Sequence, residues 1–365
     1  MSAPLDPTKL KITTVGSRKT YPPNEELTFG KIMTDHMLVA EWDSETGWGT
    51  PEIKPYADFQ MDPASYVFHY AFCCFEGQKA FVGEDDQVRI FRPDKNMARL
   101  NKSTSRIALP TVDPDVGVKL MREFVKIEKD VIPKGRGMSL YLRPTVIANN
   151  ASLGVGVPTK ALFYIIASPV GSYKASGPIR LKATDDAVRS WPGGTGDTKL
   201  GANYAPCVVP QQQAAKEGFM QNLWLFNGYL TEVGMMNFFL VFLNKETGKK
   251  EFTTAPLDGL ILEGVTRMSI LELARERLDP TEWEITERKV HITELIERSK
   301  KNEVLEAFGA GTAAIVSPVQ EVCYHSESVV LPTAVDGGET TKLVRKWIQD
   351  IQYGVDVHPF AEVVN

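Results

Sequence analysis

One lysine stands among four glycines. Trp191–Ala205 reads WPGGTGDTKLGANYA, with Lys199 inside the glycine run and Tyr204 five residues on. Glycine lets a backbone approach a ligand closely. A desolvated lysine there can lose its proton and act as an amine nucleophile. A solvated loop lysine fits the same residues. Glu232, in LTEVGMMN, lies between apolar residues at the start of a strand-like run. If buried, its carboxylate needs a cationic or hydrogen-bonding partner, and a protonated heterocyclic nitrogen would serve. A glutamate facing water at a strand end is the alternative. In LEGVTRM a glycine opens a helix, so the N–H groups of Val265 and Thr266 can meet an anion. Gly309, Gly311 and Thr312, in GAGTAA, offer a second anion-holding turn.

Neither glycine segment is a GxxxxGK[ST] loop or a GxGxxG fingerprint, which demotes ATPase and dehydrogenase readings. An amine, an acid and two phosphate-holding turns together suit pyridoxal phosphate. That molecule carries an aldehyde, a ring nitrogen and a phosphate.

The elements that must position these residues are mixed. Val88–Phe91 (VRIF), Leu162–Ala167 (LFYIIA), Leu223–Phe226 and Asn237–Leu243 read as strands. Asp113-Pro114 caps a helix whose apolar face is Val116, Leu120, Met121, Phe124 and Val125. Val265, Met268, Leu271, Ala274 and Leu278 recur at helical steps, starting after Gly264 and ending before Asp279-Pro280. Thr340–Tyr353 reads as another amphipathic helix. Small, polar and Pro residues in Gly171–Pro178 mark a linker. The expected organisation is a polar arm over residues 1–30, a smaller α/β domain over 31–172, a linker over 173–178 and a larger domain over 179–365.

The 365 residues carry 41 Lys and Arg against 46 Asp and Glu, a net charge of −5. That balance argues against a nucleic-acid binder, which needs clustered cations. Apolar runs such as Phe238–Leu243 are far short of the ~20 residues of a spanning helix, so no membrane partner is expected. The start, MSAPLDPTKLKITT, lacks an apolar signal core. Four cysteines do not make a disulfide scaffold, and reduced thiols of a cytoplasmic protein are expected. A mitochondrial location would follow if a transit peptide has been removed. The five histidines show no ligand spacing, so no metal is expected.

The motifs FHYAFCCFEGQKAF, VRIFRP, SLYLRPT, SLGVG, GDTKLGANYAP, LTEVG, ILEGVTR and GAGTAA stand in one order and spacing from about Leu27 to Tyr353. Through them the chain closely resembles the eukaryotic branched-chain amino acid aminotransferases of fold-type IV. The resemblance implies a two-domain mixed α/β (α+β) fold with its active site at the domain interface. It implies pyridoxal 5′-phosphate as cofactor and ping-pong exchange between Leu, Ile or Val and 2-oxoglutarate, giving branched-chain 2-oxo acids and L-glutamate. Lys199 would form the Schiff base. Tyr204 would bond the ring's phenolic oxygen, and Glu232 the ring nitrogen. Arg99, Val265, Thr266 and Thr312 would hold the phosphate. Ala313 with Thr312 would meet the substrate carboxylate. Phe29, Phe75, Tyr141 and Tyr173 would line the side-chain pocket, and Arg143 would admit glutamate's second carboxylate. Tyr70, Leu153 and Val155 would enter the neighbouring subunit's site, implying a homodimer.

Two positions depart from that pattern. Met235 stands where the family usually has Thr, beside the substrate side chain. Ala314-Ile315-Val316-Ser317 replaces a CxxC pair of the mammalian members, so thiol regulation is not expected there. D-amino acid or (R)-amine transamination, aminodeoxychorismate lyase activity, and non-catalytic vitamin B6 binding are the rival readings. SLYLRP, FHYAFCCFEG and GANYAP favour the branched-chain branch.

Overall fold

A computed structural model describes residues 3–172 and 177–364. It divides into two compact units. One comprises Met1–Tyr173, Thr198–Ala202 and Asp350–Asn365, the other Lys174–Asp197 and Asn203–Gln349. The segment carrying Lys199 and the C-terminal stretch thus group with the first unit. The expected linker, 173–178, lies largely outside the described residues.

In the first unit the described residues form a ten-stranded, mostly antiparallel sheet. Its longest ladder joins Ser139–Ala148 to Lys160–Val170, from Ser139 opposite Val170 to Ala148 opposite Ala161. Side chains alternate across a strand. Leu140, Leu142, Val146 and Ala148 therefore enter the core with Phe163 and Ile165, while Tyr141 and Arg143 take the other face. Two helices, Pro93–Arg106 and Pro114–Glu128, cover the core face through Met97, Leu100, Leu120, Met121 and Phe124. The second begins as its sequence predicts. Asp113 accepts hydrogen bonds from the N–H groups of Asp115 (3.0 Å) and Val116 (3.1 Å), and Pro114 occupies the first turn. Strand Ala361–Val363 closes one end of the sheet against Val88–Phe91. The polar arm is tied down: Leu5 is buried, and Arg18 reaches Glu128 at 2.6 Å.

The second unit holds a nine-stranded sheet among the described residues. The hairpin Tyr229–Val233 and Met236–Leu243 sets Glu232 opposite Asn237. Met236–Leu243 also pairs with Val304–Gly311, Asn237 facing Ala310. Helix Val265–Arg277 starts directly after Gly264, as its period predicts.

Candidate active site

In the first unit a single helix face does most of the positioning. Asn96, Arg99 and Ser103 recur at steps of three and four on Pro93–Arg106, and so share one side. Asn96 Nδ2 donates to Glu76 Oε2 at 2.7 Å. Arg99 grips the same carboxylate with two prongs, Nε to Oε1 at 2.8 Å and Nη2 to Oε2 at 2.7 Å. Such a fork fixes a guanidinium in direction as well as place. One turn on, Ser103 Oγ accepts the Lys199 N–H at 2.8 Å. The Lys199 carbonyl accepts from Phe75 N–H at 3.1 Å, and Leu200 bridges Cys74. The lysine backbone is therefore held by one helix and one strand edge. Its Nζ lies 5.2 Å from the Phe75 ring centre. Burial pushes the Lys199 ammonium down to about 8, and the nearby Arg99 guanidinium acts in the same direction. The proton-free amine is thus accessible near neutral pH.

The opposite face of the long ladder carries Tyr141 and Arg143. Arg143 Nη2 donates to Tyr141 Oη at 3.1 Å, and the guanidinium lies 4.7 Å from the Phe75 ring centre. Phe29 packs edge-on against Tyr141 at 4.7 Å. Phe29, Tyr141 and Arg143 line a cavity of about 310 Å³.

In the second unit Glu232 is buried, with 2 % of its surface exposed. Its Oε2 lies 2.7 Å from Arg189 Nη1. Its Oε1 accepts from Asn237 Nδ2 (3.2 Å) and the Leu262 N–H (3.3 Å). Asn237 Nδ2 also donates to the Leu262 carbonyl at 2.8 Å, tying the hairpin to the chain entering the next helix. Gly264 caps that helix without a side-chain hydrogen bond. A Cβ there would come within 2.0 Å of Asn237 Oδ1, so only glycine fits. Val265 and Thr266 form the first turn, where helix N–H groups and the dipole favour an anion.

The model of the family described as Amino-transferase class IV matches residues 74–322, more than half of the chain. The chain is 56% identical over 362 residues to the cytosolic branched-chain-amino-acid aminotransferase of Saccharomyces cerevisiae, covering 98% of this chain and 96% of the relative. It belongs to the class IV amino-transferases, among the branched-chain-amino-acid enzymes. The mitochondrial enzyme of the same yeast is also 56% identical, over 96% of this chain and 91% of its own length. The fold of this aminotransferase matches that of a solved branched-chain amino acid aminotransferase from Thermobaculum terrenum in PLP-form. The TM-score is 0.68 at 23% identity, covering 89% of this chain and 98% of that one.

Class IV amino-transferases use pyridoxal phosphate. Each unit, taken by itself, carries groups of the kinds that molecule takes. Lys199 offers an amine with weakened hold on its proton, Glu232 a buried carboxylate, and Gly264–Thr266 an uncapped helix start.

The first unit brings Lys199, Arg99, Phe75, Tyr141, Arg143 and Phe29 onto connected elements. Tyr70, Leu153 and Val155 lie apart from them on an exposed patch, where Tyr70 Oη donates to the Leu153 carbonyl. The second unit carries Tyr204, Glu232, Val265, Thr266, Thr312, Ala313 and Met235. Tyr173 lies outside the described residues. Gly309 and Gly311 differ from their expected role as an anion-holding turn. They sit within strand Val304–Gly311, where a Cβ would meet Met236 Cε at 2.9 Å and Met236 Cγ at 3.1 Å. Their missing side chains make room for that methionine, leaving Thr312 and Ala313 at the turn beyond. Sequence reasoning missed Glu76, Asn96, Ser103, Arg189 and Asn237. The three- and four-residue steps after Pro93 were a usable signal for Asn96 and Ser103. Arg189, more than forty residues before Glu232, gave none.

Proposed function

We propose that this aminotransferase exchanges the amino group of Leu, Ile or Val with 2-oxoglutarate, using pyridoxal 5′-phosphate. The observation that carries the reading is Lys199: its backbone is clamped by Ser103 and Phe75, and its ammonium is shifted to about 8. When bound, the cofactor supplies an aldehyde for that amine and a ring that draws electrons from the substrate's Cα–H bond. Lys199 would then take the proton from Cα and deliver it to the cofactor carbon C4′, a task suited to an amine titrating near working pH. Glu232, steadied by Arg189 and Asn237, keeps a proton on the ring nitrogen. Tyr204 donates to the phenolic oxygen. Arg99, Val265, Thr266 and Thr312 hold the phosphate, and Ala313 with Thr312 orients the substrate carboxylate. Phe29, Phe75, Tyr141 and Tyr173 pack the branched side chain, with Arg143 facing a second carboxylate.

The working form in this reading is a homodimer. Phe68, Leu153, Val155 and Val157 are 60 %, 73 %, 70 % and 74 % exposed, an apolar surface of the kind a second copy covers. Tyr70, Leu153 and Val155 would then reach the neighbouring copy's substrate.

The test is a coupled assay of glutamate formation from leucine and 2-oxoglutarate, with chiral analysis of the product. L-Glutamate formation with parallel-line kinetics is expected. D-Glutamate, or no glutamate at all, would reject the reading.

A further inference from the structure

We propose that Lys31 is a specificity-determining residue, a second cation at the mouth of the Tyr141–Arg143 cavity that binds the distal carboxylate of the dicarboxylic substrate. The inference rests on the amino-group exchange proposed above. One cavity must then accept an aliphatic side chain and, in the other half-reaction, a carboxylate. Its wall carries Phe29, Met33 and Ile166 together with two cations, Lys31 and Arg143, and among the described lining residues there is no carboxylate. Burying apolar surface suits Leu, Ile or Val, but a desolvated carboxylate in such a wall needs opposite charge.

Arg143 is held by aromatic contacts instead of by an acid. Its guanidinium stacks near Phe75 and Tyr141, 4.7 and 5.3 Å from their ring centres, and its buried Nε has no hydrogen-bond partner. Lys31 is presented by a tight turn in which its N–H donates to the Thr28 carbonyl at 3.2 Å. Gly30 takes the left-handed conformation there, at φ +68°. The edge-on packing of Phe29 against Tyr141 seats this turn on the cavity wall. Lys31 is exposed and makes no ion pair among the described residues. Its stem is long and flexible, so the ammonium can meet an entering carboxylate or withdraw into water. A fixed guanidinium and a retractable ammonium together admit both substrate classes. The branched side chain meets only the apolar wall, whereas the dicarboxylate meets both cations.

Lys31→Ala should raise KM for 2-oxoglutarate roughly two- to fivefold, the size of an exposed charge pair. KM for leucine, kcat and Tm should stay unchanged. Lys31→Arg should restore the low KM, and high salt should close the gap between the alanine variant and the parent. Calorimetric titration of the holoenzyme with glutarate, which cannot react, should show the same loss of affinity. Equal KM and equal glutarate affinity in parent and Lys31→Ala would overturn the assignment. So would a parallel loss for leucine. A parent enzyme that makes no glutamate from leucine would instead defeat the reaction itself, whatever Lys31 does.

Discussion

Lys199 carries two measurable consequences of its setting. Lys199→Ala should abolish the visible Schiff-base absorbance and stop glutamate formation; normal turnover would remove the lysine from the chemistry. The second consequence concerns protons. The folded chain holds this ammonium less tightly than the unfolded chain, about 8 against an ordinary 10.5. The resulting destabilisation is fully present below pH 8 and is relieved as pH rises toward 10.5. In the cofactor-free protein, Lys199→Met should therefore raise the denaturation midpoint more at pH 6 than at pH 10. An equal gain at both values would contradict the shifted lysine. Glu232→Gln removes the charge steadied by Arg189 and Asn237 and should cut kcat by ~10²–10³, read in the same glutamate assay. Met235, 70 % exposed at the hairpin turn, invites a simpler comparison. Met235→Thr should alter the kcat/KM ratio between leucine and valine, and an unchanged ratio would show no contact with substrate.

Local elements were the most legible part of the chain, because their signals are local. Asp113, Pro114 and the apolar face that follows define a helix within a few residues, and Asp113 accepts the two N–H groups its type predicts. Asp113→Ala should cost about 1 kcal/mol of stability, measurable by urea denaturation. The Glu76 cluster was hidden for the opposite reason. Glu76 meets Asn96 and Arg99 only when a strand and a helix pack, and FEGQKAF gives no local sign of burial. Removing one member of a buried ion pair is severe: Glu76→Ala should cost about 3–5 kcal/mol and lower cofactor affinity through Arg99. Denaturation and cofactor titration of that variant would check both. Gly309 and Gly311 mark the reverse case. A glycine pattern visible in sequence serves the packing of Met236, because a glycine does not announce which neighbour needs its space.

At the scale of the whole molecule, the motif order from Leu27 to Tyr353 carried the family and the mixed fold. What it did not carry was the grouping of Thr198–Ala202 with the first unit. That grouping depends on Ser103 Oγ and the Phe75 N–H, each about a hundred residues away in sequence. The proposed homodimer belongs to this scale as well. Val155→Asp places a charge in the exposed apolar patch and should shift the sedimentation coefficient toward that of a single chain, while the far-ultraviolet spectrum is kept. An unaltered coefficient would place the subunit contact elsewhere.

The Ala361–Val363 strand, laid against Val88–Phe91, bears on how the protein is born. During translation Val88–Phe91 leaves the ribosome long before this β-partner does. That side of the Val88–Phe91 edge stays open until residues 361–363 have emerged. The middle of the chain has time to settle first, and the nascent N-terminal half must wait, a period in which a chaperone would have an unpaired edge to shield.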